Sequence, residues 1–127
     1  MPALHLELWV SLRKDRARVH GLLRKLYGIA RRITQDGGGW GPWVFLVDPD
    51  PAKPKTARLR AILGLRSDED LWVELVFYPN RVRMRNIIRR IWQHPQVRAN
   101  ADALDGLVSR RKSGYQATIA YATIKTM

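Results

Sequence analysis

Residues 3–12, ALHLELWVSL, alternate without a break, and no other stretch constrains the fold as strongly. Leu4, Leu6, Leu8, Val10 and Leu12 fall on one side of an extended backbone, while His5, Glu7, Trp9 and Ser11 fall on the other. A period of two is the mark of a half-buried β-strand. From about Lys14 to Thr34 the period lengthens. Val19, Leu22, Leu23, Leu26, Ile29, Ala30 and Ile33 recur at helical spacing and form one apolar stripe. The cluster QDGGGWGP stops that helix, as glycine and proline should.

Further along, WVFLV reads as a short strand and DPDPAKPK as a proline-stiffened excursion. TARLRAILGL and LWVELVFY read as two more strands around the polar turn RSDED. A second amphipathic helix follows Pro79 and Asn80, with Met84, Ile87, Ile88, Ile91 and Trp92 on one face. Pro95 ends it, QVRANADALDGLV reads as a shorter third helix, KSG as a turn and YQATIAYATIK as a closing strand. The order is strand, helix, three strands, helix pair, strand. With one hairpin strand as an elaboration, it reduces to the split βαβ, ferredoxin-like plan. The expected architecture is α+β, an antiparallel sheet with helices on one face, in a single domain over residues 1–127. In that plan the leucine face of the first strand looks at the helices. The face with His5, Glu7 and Trp9 is then uncovered, and something else must sit there.

EDLWVELVFYPNRVRMRNIIRRIWQHPQV, followed by GYQATIAYATI, carries an acidic turn, a strand ending in aromatic-Pro, a helix closing at a residue–Pro pair and a glycine-led last strand. In this pattern, over roughly the last 60 residues, the chain resembles the YbaA-like bacterial domain of unknown function. That family belongs to the dimeric α+β barrels, in which two ferredoxin-like subunits join their sheets around a shared interior. The resemblance implies a fold and a homodimer, and it supplies neither a reaction nor catalytic residues.

His5 and Glu7 share a face of the first strand, and LWVELVFY offers Trp72, Glu74 and Tyr78 as an alternate set. If Glu74 shares the face with Glu7, a wall of His5, Glu7, Trp9, Trp72, Glu74 and Tyr78 sets two carboxylates and an imidazole among aromatic rings. Such a set can transfer protons or ligate a metal through oxygen and nitrogen. No diagnostic metal spacing occurs, so the expectation is a small-molecule pocket without metal or cofactor, with catalysis left open. His94 is expected to cap the end of the second helix, and His20 to be solvated. GGGWGPW lacks the lysine and following helix of a phosphate loop and reads as a tight connection whose tryptophans fold back on the core. Asp48 and Asp50 read as surface turn residues.

The charge balance is the second constraint. Twenty-three Lys and Arg face 11 Asp and Glu, a net charge of +12 that favours polyanionic partners. Lys14, Arg24, Lys25, Arg31 and Arg32 on the first helix, and Arg81, Arg83, Arg85, Arg89 and Arg90 on the second, lie away from the apolar stripes. Almost no glutamate interleaves them. Arg81, Arg83 and Arg85 also crowd a helix N-terminus, where the macrodipole disfavours cations. Gly21 and Gly28 lie on the outward side with Lys25 and Arg32, where a phosphate or a protein surface could approach the backbone closely. The alternative function is therefore sequence-nonspecific nucleic-acid binding on the outer helix faces, with no base-reading motif. Absence of cysteine excludes thiolate nucleophiles, disulfides and zinc–cysteine sites. No apolar run nears the roughly 20 residues of a membrane span, and no secretory leader pattern opens the sequence. A cytoplasmic protein without a membrane partner is expected.

Overall fold

The computed structural model describes residues 2–48, 50, 52–109 and 116–120, with backbone alone at 109 and 116–120. Strand β1 (Ala3–Leu12) leads through a 3-10 turn (Arg13–Asp15) into helix α1 (Arg16–Asp36). Then come β2 (Trp40–Leu46), α2 (Pro54–Ile62), β3 (Glu69–Tyr78), α3 (Arg81–Gln93), α4 (Pro95–Asp105), β4 (Val108–Ser109) and β5 (Gln116–Ala120). The chain is an α+β protein. Its antiparallel sheet runs β2-β3-β1-β4, and β5 pairs with the same edge of β1 further along.

Most elements fall where the periodicities predict. Asn80 starts α3 by accepting the Arg83 backbone N–H at 2.8 Å, the usual role of a side-chain oxygen at a helix start. His94 caps the end of α3, as expected, through its backbone N–H, which donates to the Ile91 carbonyl at 3.1 Å; its side chain serves the next helix instead, Nδ1 accepting the Gln96 N–H at 3.2 Å to open α4. The third helix ends at Asp105, and Val108 belongs to a two-residue strand. Within YQATIAYATIK, residues 116–120 form β5; the KSG turn and the remainder of that segment lie outside the described residues.

Two expectations are corrected. Residues 54–62 form a helix, not the strand that TARLRAILGL suggests, so two strands rather than three separate α1 from α3. Pro54 is well placed in a first turn, where its missing N–H is not needed, and Ala57, Leu59, Arg60 and Ala61 are good helix formers. The Leu/Arg alternation had mimicked a strand, yet α2 buries none of its residues.

The larger correction concerns the faces of β1. The helices cover the odd-numbered side. Trp9 and Trp72 pack with Val19, Leu23, Leu26 and Ile29 of α1 and with Val97 and Leu104 of α4, while Ala3, Val76 and Tyr78 pack with Ile87 of α3. The leucine side is the less covered one. Leu4, Leu6 and Leu8 are half-buried, as are Phe77, Leu75 and Val73 opposite them, and Phe45 is 50% exposed. Among the described residues this face closes where the end of β1 meets the start of β3, at Val10 and Leu71. Alternation distinguishes two faces, but large aromatic residues on the polar-looking face gave it enough apolar bulk to be the core.

Candidate functional site

β1 and β3 pair in a register that sets Glu7 opposite Glu74, His5 opposite Val76 and Trp9 opposite Trp72. Opposed residues share a face, so two strands suffice to bring both carboxylates and the imidazole together. His5 Nε2 lies 3.5 Å from Glu7 Oε2. One ligand-capable atom from each of His5, Glu7 and Glu74 falls within 4.8 Å of the other two. From α1, the Tyr27 hydroxyl donates to Glu74 Oε2 at 2.6 Å.

These groups floor a cavity of about 220 Å3 between the sheet and the helices. Tyr78 and Pro42 continue the lining, and Ile88, Ile91 and Trp92 of α3 supply an apolar wall. Ile88 and Trp92 are themselves exposed, so the cavity reaches the surface beside α3.

Burial sets the protonation of the floor. The Glu74 carboxyl is pushed up to about 7, first by burial and then by the charge of Glu7, against the hydroxyl of Tyr27 and the charge of His5. The Glu7 carboxylate, by hydrogen bonding, holds the His5 imidazole above its usual value against the opposing effect of burial, and Glu74 adds to the rise. The Tyr27 and Tyr78 phenols are raised by burial and by Glu74, so both remain protonated donors. Near neutral pH the floor therefore holds a carboxyl able to accept or release a proton. Its two oxygen ligands and one nitrogen ligand also suit a divalent cation.

Four of the six residues expected in the pocket line it: His5, Glu7, Glu74 and Tyr78. They do so beneath the helices and not on an open sheet face, which corrects the expected location. Trp9 and Trp72 do not line it. Trp9 stacks on Tyr27 and on Trp72, at centroid distances of 6.3 and 6.5 Å, and the Trp72 indole N–H donates to Ser11 Oγ. Tyr27 was missed from sequence. Its signal was a hydroxyl one residue past Leu26, beside a buried stripe, where a buried phenol needs an acceptor.

The basic residues divide. Arg24, Lys25 and Arg32 on α1, and Arg81, Arg83, Arg85 and Arg89 on α3, are exposed, and none pairs with an acid among the described residues. Arg90 approaches Asp36 at 4.0 Å. Arg31 leaves the outward layer: its guanidinium sits 4.0 Å over the Trp43 ring and donates to the Pro42 carbonyl. Lys14 is exposed on the 3-10 turn and not on α1. His20 is exposed, and a Cβ added at Gly21 or Gly28 would meet nothing within 4 Å. The tryptophans of GGGWGPW do not both fold inward, since Trp40 is 51% exposed. Asp48 and Asp50 each accept a backbone N–H two residues on, as turn residues do, and Asp48 also holds Lys53. No helix among the described residues is long and apolar enough to cross a membrane. No protein-family model matches the chain and no curated protein matches its sequence, so its similarity to known proteins assigns no function to the cavity.

Proposed function

We propose that this protein binds a small ligand in the cavity above Glu7 and Glu74, as a cytoplasmic homodimer of ferredoxin-like subunits related to the YbaA-like domain. The observation that carries this reading is one cavity, open beside α3, with two unlike sides. Its floor of imidazole, carboxylates and phenols orients a polar head, and its wall of Ile88, Ile91 and Trp92 takes an apolar body. A dry cavity of about 150 Å3 suffices for benzene, so the ligand is a compact molecule with a hydroxyl or amine head.

The antiparallel order β2-β3-β1-β4, with helical connections after β1 and β3, supports the ferredoxin-like assignment. The half-buried leucine face supports the dimer. Leu4, Leu6, Leu8, Val73, Leu75 and Phe77 form a continuous apolar patch of the kind that marks an interface, and a second copy brings an identical one. The partner therefore covers the leucines rather than the His5 face.

Ligand binding is tested with benzyl alcohol and benzylamine, following the methyl resonances of Ile88 and Ile91. Saturable shifts at these two, with Ile62 on α2 unmoved, are the expected result. Absence of any saturable shift up to about 20 mM, the weak end of fragment affinity, sinks the reading. Dimerisation is tested by sedimentation of the wild type and of Leu6→Lys; a wild-type monomer at every accessible concentration removes the dimer.

A second reading rests on the exposed cations of α1 and α3 that pair with no acid among the described residues. It is sequence-nonspecific nucleic-acid binding, with affinity that collapses as salt rises. Replacing Arg83, Arg85 and Arg89 by Gln is expected to flatten that salt dependence, and equal retention by wild type and variant excludes these arginines as the contact.

A further inference from the structure

We infer that His5, Glu7 and Glu74 form a binding site for one divalent first-row transition-metal ion, at the floor of the cavity and open toward its apolar wall. This deepens the ligand reading and rests on it, since the metal would then hold the polar head of the ligand.

The argument begins with the ligand set. His5 offers an imidazole nitrogen, and Glu7 and Glu74 offer carboxylate oxygens, with the three ligand atoms inside 4.8 Å of one another. Metal–ligand bonds of about 2.0–2.2 Å hold such atoms around one ion, so modest side-chain rotation closes the site. Two of the three ligands sit on facing positions of paired strands and the third only two residues along β1, which gives the set a rigid base.

The surroundings make the second observation. Tyr27 donates to Glu74 Oε2, leaving the other oxygen for coordination. This is how outer groups orient a ligating carboxylate. Three protein ligands facing a cavity is also the pattern of sites that keep positions for water or substrate. The third observation is charge. The other buried acids of β3 are answered by arginine: Asp70 by Arg16 and Arg13, and Glu69 by Arg66. Among the described residues no lysine or arginine lines the cavity that holds Glu7 and Glu74. In so basic a chain, two close carboxylates with only an imidazole for a counter-charge fit a site whose missing positive charge arrives with a ligand.

The imidazole chooses the metal. A nitrogen ligand favours zinc, copper, iron or nickel over magnesium and calcium, which prefer all-oxygen shells, with manganese between. The full chain, without a histidine tag and stripped with chelator, is titrated calorimetrically with Zn2+, Mn2+ and Mg2+ at pH 7.5. One Zn2+ per chain is expected, with Mn2+ weaker and Mg2+ weaker than Zn2+ by about a hundredfold or more. His5→Gln, Glu7→Gln and Glu74→Gln are each expected to weaken Zn2+ at least about a hundredfold, and Tyr27→Phe about tenfold. His20→Gln and His94→Gln should leave it unchanged. Thermal unfolding of each variant without metal checks that it is folded.

The inference is overturned by no Zn2+ or Mn2+ binding up to about 1 mM, where affinity is already negligible. It is overturned equally by affinity that ignores the three cluster substitutions, or by Mg2+ matching Zn2+. If benzylamine or benzyl alcohol still shifts Ile88 and Ile91 while metal does not bind, the metal site falls and the ligand cavity stands. If neither binds, both fall.

Discussion

Asp70 and Glu74 lie four residues apart on β3, on the same side of one strand, and both are buried. Their treatment is opposite. Asp70 has no exposed side-chain surface, and Arg16 takes both its oxygens, Nε to Oδ2 at 2.8 Å and Nη2 to Oδ1 at 2.7 Å, with Arg13 Nε a further 3.7 Å from Oδ1. Glu74 has Tyr27 as a donor and His5 at a distance, with Glu7 repelling it. A bidentate arginine pins the strand to the start of α1 and leaves the acid no freedom to meet anything else. A phenol holds only one carboxylate oxygen and adds no charge. One end of β3 is thereby closed as structure, and the other is left able to react to protons and cations.

The largest expected effect breaks the closed end. Arg16→Met leaves Asp70 buried with only the distant Arg13, and an uncompensated buried charge should lower stability by about 3–5 kcal/mol in urea unfolding at pH 7. A loss below about 1 kcal/mol would mean that Asp70 needs no clamp, and the contrast with Glu74 would collapse.

Next comes the open end, with the opposite sign. Folding raises the Glu74 carboxyl from 4.5 to about 7, so between these values the folded chain keeps a proton that the unfolded chain has released. The Glu74 contribution is full below about pH 4.5 and falls as pH rises toward 7. His5, also raised, loses its contribution in the same direction as pH climbs past its folded value. Glu74→Gln is neutral at every pH and can still accept from Tyr27. In chelator it should match wild type near pH 4.5 and exceed it by about 2–3 kcal/mol at pH 8. A parallel pair of pH–stability curves would show that Glu74 carries no such strain.

How far all this is legible in the sequence depends on what a pattern encodes. The alternation of residues 3–12 specifies a strand and puts His5 with Glu7. Glu74 joins them only through the assumed pairing with LWVELVFY, and the register that sets it opposite Glu7 comes from the fold. Which face the helices cover does not follow, because Leu4, Leu6 and Leu8 are matched in apolar bulk by Trp9, Trp72 and Tyr78. Amphipathicity was read as greasy-in, whereas the packed core is the face with the larger rings. Tyr27 was only partly legible: its place beside the stripe calls for an acceptor but does not name one. Its role depends on a helix docking over a particular pair of strands, a long-range contact that no local spacing records. Residues 57–61, ARLRA, alternate by composition without meeting a sheet, and helix propensity decided their fate.

The two smaller effects sharpen the contrast. Tyr27→Phe removes a hydrogen bond that draws Glu74 toward ionisation, so the variant should lose about 1–2 kcal/mol at pH 8, where the bond is to a charge. It should lose less at pH 5, where it is not. Arg13→Gln is the smallest. At 3.7 Å and with a side chain 45% exposed, Arg13 is too far for a good hydrogen bond and is screened by water, so about 0.5 kcal/mol is expected. The informative experiment is the double variant. With Arg16 present, Arg13 is nearly redundant; in the Arg16→Met background it is the nearest cation to Asp70, and its removal should then cost more than it does alone. Additive losses would mean that the two arginines act independently and that the clamp is a diffuse basic field, in which case Asp70 and Glu74 differ only in degree.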